Sequence, residues 1–352
     1  MTMKENFYNL VKNKKWPYVI AEIGSNHNGD MDLAKRLIVA AKESGADCVK
    51  FQSWSKDSIF SKTVYKLNFF LNDDYRNRTD FTLEQIVEKF SISEKQLLEM
   101  KSFCDDIGID CTSTPFSFSE VDFVVDALKT PFIKVASMDV NNYPFLDYIG
   151  RKNLPIVLST GLSELHEIDK AIRTIENAGN EEIIILHCVA IYPPKDEEVN
   201  LRNIETLRQL YPYPVGYSDH SIGFEVPLAA AAMGSVVIEK HFTLDTEMFG
   251  WDHKVSATPE ILKAICHGSR RISNCLGSHR ISCEESEERK AAFRRSLVLK
   301  GQIKAGGRIR LEDLDFKRPG TGISPGDLQK VVGRRVNRDL DADQILEWGF
   351  LD

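Results

Sequence analysis

The stretch VGYSDHSIGFEVPLAAAAMGSVVIEKHF, Val215 to Phe242, contains one complete strand–helix–strand pattern. Its first β-like run ends at Asp219 and His220, an amphipathic segment follows, and a second β-like run carries His241 close to its end. If two such strands are parallel neighbours joined by the helix, their carboxyl ends meet at the same edge of the sheet. The two imidazoles would then lie near enough to share one metal ion.

The same alternation extends along most of the chain. Periodic helical segments lie between short β-branched runs, as at Met31 to Ser44, Ser93 to Ile107, Glu120 to Leu128 and Glu164 to Ala178. Such alternation predicts an α/β fold with a parallel sheet and crossover helices. Eight units in roughly 250 residues are the size of a (β/α)8 TIM barrel. The predicted strands are Tyr18 to Ile23, Cys48 to Gln52, Asp110 to Thr114, Phe132 to Ser137, Pro155 to Thr160, Ile183 to Val189, Val215 to Asp219 and Val236 to Phe242.

Two parts of the chain depart from this alternation. The stretch from Ser53 to Lys89 is polar and aromatic, and we interpret it as an extended loop over the barrel mouth, since loops of this length are usually functional or disordered. Near the C-terminus the charged segment SCEESEERKAAFRR begins at Ser282, and beyond it the chain has short strands and frequent glycines. The sequence therefore predicts a barrel domain over residues 1–281, a linker over 282–295 and a small β-rich domain over 296–352.

The composition is that of a cytoplasmic globular protein. At 352 residues, with a formal net charge of -7, the chain can bury a full core. It has no apolar run long enough to span a bilayer, and the N-terminus lacks the apolar stretch of a signal peptide. Seven cysteines without paired metal-ligand spacing are typical of reduced thiols. The mild acidity argues against nucleic acid as a partner, so an anionic small ligand would need a local group of cations.

Polar side chains stand near the ends of the predicted strands. Strands of a sheet covered on both faces should be almost uniformly apolar, so a lysine or glutamate inside one needs a partner or a function. In TIM barrels, residues at the carboxyl ends of the strands build the active site. We therefore expect a functional site from Glu22, Lys50, Gln52, Thr114, Lys134, Ser137, Asp139, Ser159, Tyr192, Asp219, His220, Glu239 and His241.

These residues also have structural interpretations. A single histidine at a strand end is more often structural than metal-binding, whereas a pair on adjacent strands binds metal about as often as not. Lys134 could pair with a core carboxylate, although two such lysines favour an anion site. Ser159 could begin the turn into the next helix, or present its hydroxyl to a phosphate. His27 and Asn28 could close a tight turn at Gly29.

Short motifs, in order along nearly the whole chain, resemble those of the sialic acid synthase family. The match continues into KRPGTG at Lys317 to Gly322, which is similar to that family's C-terminal antifreeze-like (SAF) domain. The barrel motifs are AEIGSNHNGD from Ala21, VKFQS from Val49, STPF from Ser113, IKVAS with NNYP from Ile133 to Pro144, LSTG from Leu158, HCVAIYP from His187, GYSDH from Gly216 and IEKHFTLD from Ile238.

The resemblance implies a fold, a reaction and a cofactor. The fold is a (β/α)8 barrel followed by a SAF domain, paired as a domain-swapped homodimer in which each small domain covers the partner's barrel. The reaction condenses phosphoenolpyruvate with N-acetylmannosamine, or a related N-acyl amino sugar, and water to give N-acetylneuraminate and phosphate. The cofactor is a divalent metal, commonly manganese, with magnesium or cobalt as alternatives. We expect neither a membrane nor nucleic acid as a partner.

The resemblance also implies roles for individual residues. His220 and His241 would hold the metal, which would act as a Lewis acid on the sugar aldehyde. Glu22 and Asp139 match the family's glutamates near carbon 2 of phosphoenolpyruvate, where they would hold the attacking water or stabilise the developing cation. Phosphoenolpyruvate would be bound by Lys50, Thr114, Lys134, Ser137 and Ser159. The sugar would be contacted by Gln52, Tyr192, Asp252 and, from the other subunit, Arg318.

Three positions depart from the family's pattern. Asp139 stands where many members carry glutamate, so its carboxylate is one methylene shorter. Ala190 occupies a position that is often asparagine and contacts the ligand, so one hydrogen bond is either missing or supplied elsewhere. Trp251 replaces the proline of the commoner GPDH, and its ring favours apolar substituents such as those of a deoxy sugar.

Other functions stay open at this point. Legionaminic or pseudaminic acid synthases, which use a 2,4-diacetamido-2,4,6-trideoxyhexose, would suit the same barrel, and AEIGSNHNG resembles the neuraminate and legionaminate branches more than the pseudaminate branch. A metal-dependent sugar aldolase or isomerase would explain the histidine pair but not the paired lysines. A non-catalytic sugar binder would keep its ligand after loss of His220, whereas a synthase would lose metal and turnover.

Overall fold

The barrel consists of parallel strands. The computed structural model describes residues 6–68 and 81–352. Within these ranges the barrel strands are β1 (Tyr18–Gly24), β2 (Cys48–Gln52), β3 (Asp110–Thr114), β4 (Ile133–Val135), β5 (Ile156–Ser159), β6 (Ile183–Cys188), β7 (Val215–Asp219) and β8 (Val237–His241). They form one 8-stranded sheet in the order β3-β2-β1-β8-β7-β6-β5-β4, and every pair is parallel. The predicted (β/α)8 fold is therefore confirmed.

The seam between β3 and β4 is held by side chains. In the described ranges no backbone ladder joins these two strands. The Thr112 hydroxyl donates to the carbonyl oxygen of Phe132 over 3.2 Å, and the Thr130 hydroxyl donates to the same oxygen over 2.9 Å. The two hydroxyl oxygens are 2.5 Å apart. These bonds replace the missing ladder, so the barrel is nearly closed.

Helices alternate with the strands as predicted. α2 coincides with the predicted Met31–Ser44 helix, because Asp30 caps its first turn and Gly45, at φ 93°, ends it in the left-handed region. The helices are α1 (Phe7–Asn13), α2 (Met31–Ser44), α3 (Lys56–Ile59), α4 (Lys62–Leu67), α5 (Leu83–Phe90), α6 (Glu94–Ile107), α7 (Phe118–Asp122), α8 (Tyr143–Gly150), α9 (Leu165–Asn177), α10 (Asn203–Leu210), α11 (Glu225–Ala232), α12 (Pro259–Leu276), α13 (Glu287–Phe293) and α14 (Leu328–Val331). In place of the predicted Glu120 to Leu128 helix, α7 passes into a π-helical turn over Phe123–Ala127.

The interpretation of Ser53 to Lys89 as an extended loop is wrong for its described part. Helices α3, α4 and α5 occupy much of it. Helix α5 begins with a capping box formed by Thr82 and Gln85, and it buries the apolar face Leu83, Ile86, Val87 and Phe90. The segment TLEQIVEKF carries both signals, so the helix was predictable from local sequence. Residues 69–80 of this stretch lie outside the described residues.

The C-terminal part of the chain is a compact unit of its own. The chain divides into units of Met1–Gly277 and Ser278–Asp352, and α13 belongs to the second. In that unit β9 (Ser296–Leu299) and β10 (Leu314–Lys317) pair antiparallel. Its core is apolar and includes Leu297, Leu299, Ile309, Val331, Val336, Leu340 and Leu346. The small β-rich domain predicted for this end of the chain is therefore present.

No helix in residues 6–68 and 81–352 combines the length and the apolar character that a membrane crossing requires.

Candidate active site

A cavity of about 590 Å³ opens at the carboxyl ends of the barrel strands. It brings together most of the residues expected to act there, although they come from strands that are distant along the chain and from the loops that follow them. The predicted residues that line it are Glu22, Lys50, Gln52, Thr114, Lys134, Ser137, Ser159, Tyr192, His220, His241 and Asp252. This is the position at which TIM barrels carry their active sites.

Strand register explains why Glu22, Lys50 and His241 meet. On β1, Glu22 stands opposite Lys50 of β2 on one side and His241 of β8 on the other. The Lys50 ammonium forms a buried ion pair with the Glu22 carboxylate and donates to the Thr114 hydroxyl over 2.9 Å. Gln52 donates to Glu22 Oε1 over 3.1 Å. The lysine is therefore partnered inside the cavity rather than extended to solvent.

Lys134 occupies the opposite side of the cavity floor. Its ammonium donates to the Ser159 hydroxyl over 2.8 Å and to the Val135 carbonyl over 2.9 Å. It also lies 3.7 Å from Glu239 Oε1. Burial lowers the pKa of Lys134, while Glu239 counteracts this effect. Two lysines and two serine or threonine hydroxyls thus converge on a buried site suited to an anion.

Glu239 was expected at the site, but sequence reasoning assigned it no role. Its carboxylate lies between the two lysines, 3.8 Å from Lys50 and 3.7 Å from Lys134, and Ser218 donates to it over 3.0 Å. A signal was available, because Glu239 and His241 are two residues apart on β8 and so point to the same face. The spacing predicted a shared face, but not the position between two lysines.

The two glutamates of the floor differ in protonation. Burial raises the pKa of Glu22 to about 7, although Lys50 counteracts it. Burial would also raise the pKa of Glu239, but Lys134 and Lys50 outweigh it and lower that pKa to about 2. At neutral pH, Glu239 is therefore charged, whereas Glu22 can take up or release a proton.

The rings of the histidine pair lie close enough together for one metal ion to bind both. The ring centroids of His220 and His241 are 5.5 Å apart. Two imidazoles that share an ion, each with a metal–nitrogen distance of about 2.1 Å, have centroids roughly 4.5–6 Å apart. His220 Nδ1 lies 2.9 Å from the carbonyl oxygen of Val189, which orients the ring and leaves Nε2 for a ligand.

The environment of His241 also fits a metal. Burial, with Lys50 next in importance, lowers its pKa to about 3, so the ring is neutral and retains a lone pair. In the described part of the chain its buried Nδ1 has no hydrogen-bond partner. The same residues contain no cluster of three or more His, Cys, Asp or Glu side chains able to form a complete centre. The pair would thus leave coordination positions open.

Tyr192 and Asp252 stand beside the histidines. The Tyr192 ring lies 4.2 Å from the His220 ring and 6.0 Å from the His241 ring, measured between centroids. Asp252 Oδ2 is 3.9 Å from His241 Nδ1. Both side chains therefore line the cavity next to the histidine pair.

Two residues to which the resemblance assigned roles lie outside the cavity lining, and so does Asp219, which was expected there only from its position at a strand end. Asp139 is buried, but its carboxylate accepts a hydrogen bond of 3.0 Å from Asn142. Burial raises the pKa of Asp139, and the bond to Asn142 counteracts the rise. Arg318 belongs to the second unit, where its guanidinium lies 5.1 Å from the centroid of the Phe293 ring. The barrel cavity is thus formed without either residue.

The family of this chain follows from comparison with known proteins. The model of the NeuB family matches residues 37–281, and that of the SAF domain matches residues 294–352. The chain belongs to the NeuB family. Membership confirms the resemblance to sialic acid synthases, and the SAF match confirms the type of the C-terminal domain.

Relatives of this NeuB-family chain are nonulosonic acid synthases. The N,N'-diacetyllegionaminic acid synthase of Legionella pneumophila is 37% identical over 95% of this chain and 94% of its own length. The N-acetylneuraminate-9-phosphate synthase of Mus musculus is 34% identical over 94% and 91%. A crystal structure of N-acetylneuraminic acid synthetase from Leptospira borgpetersenii, in complex with citrate, is 31% identical and matches with a TM-score of 0.69 over 78% of this chain and 90% of that one.

In this NeuB-family chain the first motif, AEIGSNHNGD, has a structural role beyond Glu22. Asn26 donates to the Phe242 carbonyl and the Ser256 hydroxyl, each over 2.9 Å. Asn28 donates to the Phe249 carbonyl over 2.8 Å, and the backbone N–H of Gly29 donates to His27 Nδ1 over 3.0 Å. The predicted tight turn is therefore present. These hydrogen bonds attach the turn to the loop that follows β8, and this loop carries Trp251 and Asp252.

Proposed function

We propose that this NeuB-family chain condenses phosphoenolpyruvate with an N-acyl amino sugar and water, releasing phosphate and a 2-keto sugar acid. One observation carries the proposal: two buried lysines share a cavity with two histidines whose ring centroids are 5.5 Å apart, which supports an anion site beside a metal site. Phosphoenolpyruvate requires the first feature. Activation of an aldehyde requires the second.

Lys50, Thr114, Lys134, Ser137 and Ser159 bind the phosphate and carboxylate of phosphoenolpyruvate in this proposal. Ammonium groups and hydroxyls supply the donors that a trianion needs, and Glu239 keeps both lysines charged until the ligand arrives. The neighbouring Glu22, with a pKa of about 7, holds the water that adds to carbon 2 and accepts its proton. Gln52 orients Glu22 through the bond of 3.1 Å.

His220 and His241 would hold a divalent metal, for which manganese is our first choice and magnesium or cobalt the alternatives. When bound, such an ion supplies a Lewis acid for the aldehyde oxygen of the sugar. Tyr192 and Asp252 would orient the sugar beside it. We assign no contact in this cavity to Asp139, because its carboxylate is bonded to Asn142.

We further propose that the protein acts as a domain-swapped homodimer. Its support is the family resemblance together with the SAF match at residues 294–352. In such a dimer, Arg318 of each SAF domain would reach the N-acyl group of a sugar bound in the other subunit's barrel.

The test is phosphate release from phosphoenolpyruvate by metal-stripped protein, with and without manganese and with and without an amino sugar. We expect release only when both manganese and sugar are present. His220→Ala should abolish release and metal binding, whereas His166→Ala, an exposed histidine on α9, should change neither.

Two results would contradict the proposal. Phosphate released without any sugar would indicate a different reaction, and turnover indifferent to chelators would exclude a metal-dependent one. Reversible cleavage of a sugar in the absence of phosphoenolpyruvate would instead support an aldolase.

A further inference from the structure

The cavity has two chemically different sides. Its floor carries Glu22, Lys50, Lys134 and Glu239, which are all buried. Facing the floor is a surface that we name the apolar wall, formed by Trp54, Phe60, Val64, Leu83, Val87 and Trp251. All but Trp251 come from the stretch that follows β2. Because this stretch leaves the carboxyl end of a barrel strand, the wall stands above the anion site.

The apolar wall is a built surface. Leu83 and Val87 are buried on the inner face of α5, where they pack with Trp54 in one apolar cluster that Trp251 also joins. The Trp54 and Trp251 rings meet edge to face, with centroids 5.9 Å apart. Packing of this kind fixes the side chains before any ligand binds.

The indole nitrogen of Trp54 is already engaged. Trp54 Nε1 donates to Gln52 Oε1 over 2.8 Å, and the other end of that amide donates to Glu22. In the described ranges, the side chains that residues 53–90 contribute to the cavity lining are all apolar. A phosphate placed against these described side chains would lose its water and gain no cation from them.

We infer that the acceptor is an amino sugar whose end remote from the aldehyde carries apolar methyl groups, such as a deoxy methyl and the methyl of a second N-acyl group, and that Trp251 and Phe60 select it. This rests on the proposed function, which sets phosphoenolpyruvate on the lysines and the aldehyde at the histidines. The rest of the sugar then extends towards the apolar wall. Against the described side chains of the apolar wall, a 6-phosphorylated sugar is disfavoured by desolvation of its charge, and a 6-hydroxylated sugar by the loss of apolar contact.

The test assays the unmodified, manganese-loaded enzyme with three acceptor sugars in parallel. These are 2,4-diacetamido-2,4,6-trideoxymannose, N-acetylmannosamine and N-acetylmannosamine 6-phosphate. The readout is kcat/KM for phosphate release. Each apolar group that enters a hydrophobic pocket contributes about 10–200-fold. We therefore expect the trideoxy sugar to exceed N-acetylmannosamine by at least about 10-fold, and the 6-phosphate to give no measurable turnover.

Variants locate the effect on the apolar wall. Trp251→Ala and Phe60→Ser should each lower the preference for the trideoxy sugar by about 10-fold, mainly by raising KM for that sugar, with KM for phosphoenolpyruvate unchanged. Phe118→Ala is the matched control, because that ring is half exposed and lies outside the cavity lining, and it should leave the preference as it is.

The two proposals fail in different ways. Phosphate release with N-acetylmannosamine or its 6-phosphate at an efficiency equal to or above that of the trideoxy sugar overturns the inference and leaves the synthase reaction standing. Release with none of the three sugars overturns the proposed function, and the inference with it. A preference that survives both wall variants removes the assigned role of Trp251 and Phe60.

Discussion

His27 shows how a motif residue can stabilise the fold without touching the substrate. It is fully buried, and its Nδ1 accepts the backbone N–H of Gly29, so the folded protein holds the ring neutral. Burial lowers the pKa of His27 to about 4, although Asp30 counteracts it. In the unfolded chain this ring has a pKa near 6.5. Below that pH, protonation of the ring therefore favours the unfolded state.

This protonation difference predicts a pH-dependent stability. The contribution of His27 is present above pH 6.5 and is lost as the pH falls towards 4, by about 2–3 kcal/mol at pH 4.5. His27→Gln removes it. The difference between wild type and variant in the free energy of urea unfolding should therefore shrink by that amount between pH 7.5 and pH 4.5.

Taking the difference in the free energy of unfolding between wild type and variant cancels the pH dependence of the other buried histidines, because both proteins contain them. The exposed His166→Gln is the control and should show a constant difference from wild type across the same range. A difference for His27→Gln that does not change with pH would mean that the folded protein accepts the proton at this site.

At the scale of elements, the turn between β1 and α2 packs against α5. Gly29 has φ 76°, and a Cβ there would overlap with the carbonyl oxygen of Lys89. Helix α5 in turn presents Leu83 and Val87 to the cavity. One glycine thus permits the approach of two elements, one of which forms part of the apolar wall.

Gly29→Ala should therefore lower the free energy of unfolding by more than backbone strain alone would. Strain in the left-handed region is about 1–2 kcal/mol, and displacement of α5 adds about 1–3 kcal/mol. Gly179→Ala is the matched control, since Gly179 has φ 95° but a Cβ at this position would meet no described atom within 4 Å. Thermal and urea unfolding of the two variants should differ by the packing contribution, and equal losses would show that the Lys89 carbonyl can move aside.

At the scale of the whole molecule, the proposed domain swap makes each active site depend on two chains. The barrel contributes His220, and the SAF domain of the other subunit would contribute Arg318. His220→Ala and Arg318→Ala should each be nearly inactive alone. In a heterodimer of the two, one site combines an intact barrel with an intact arginine, so co-expression should restore about a quarter of wild-type activity.

The alternative arrangement gives a different result. If Arg318 served the barrel of its own chain, every site in the mixture would carry one defect, and activity would equal the mean of the two parent variants. Co-expression of each variant with itself, assayed at the same protein concentration, supplies that baseline.

The sequence was most informative where structure depends on local patterns. Short β-branched runs predicted the barrel strands, and the bounds predicted for α2 agree with the structure, in which Asp30 caps the helix and Gly45 ends it. The carboxyl ends of parallel strands meet at one edge, so the site residues from Glu22 to His241 could be grouped from their positions in the chain alone. Local pattern also carried a signal that we did not use, the capping box and apolar face of α5.

The sequence by itself determined the family, the barrel and the residues that converge at its mouth, because motifs and strand periodicity are properties of neighbouring residues. Only the tertiary structure showed that Glu239 lies between two lysines and that Asp139 is hydrogen-bonded to Asn142. Only the tertiary structure showed, too, that the apolar wall faces the lysines across the cavity. Most of these outcomes depend on side chains that are far apart in the chain. Their distances are set by strand register and by the packing of whole elements, which no local pattern encodes.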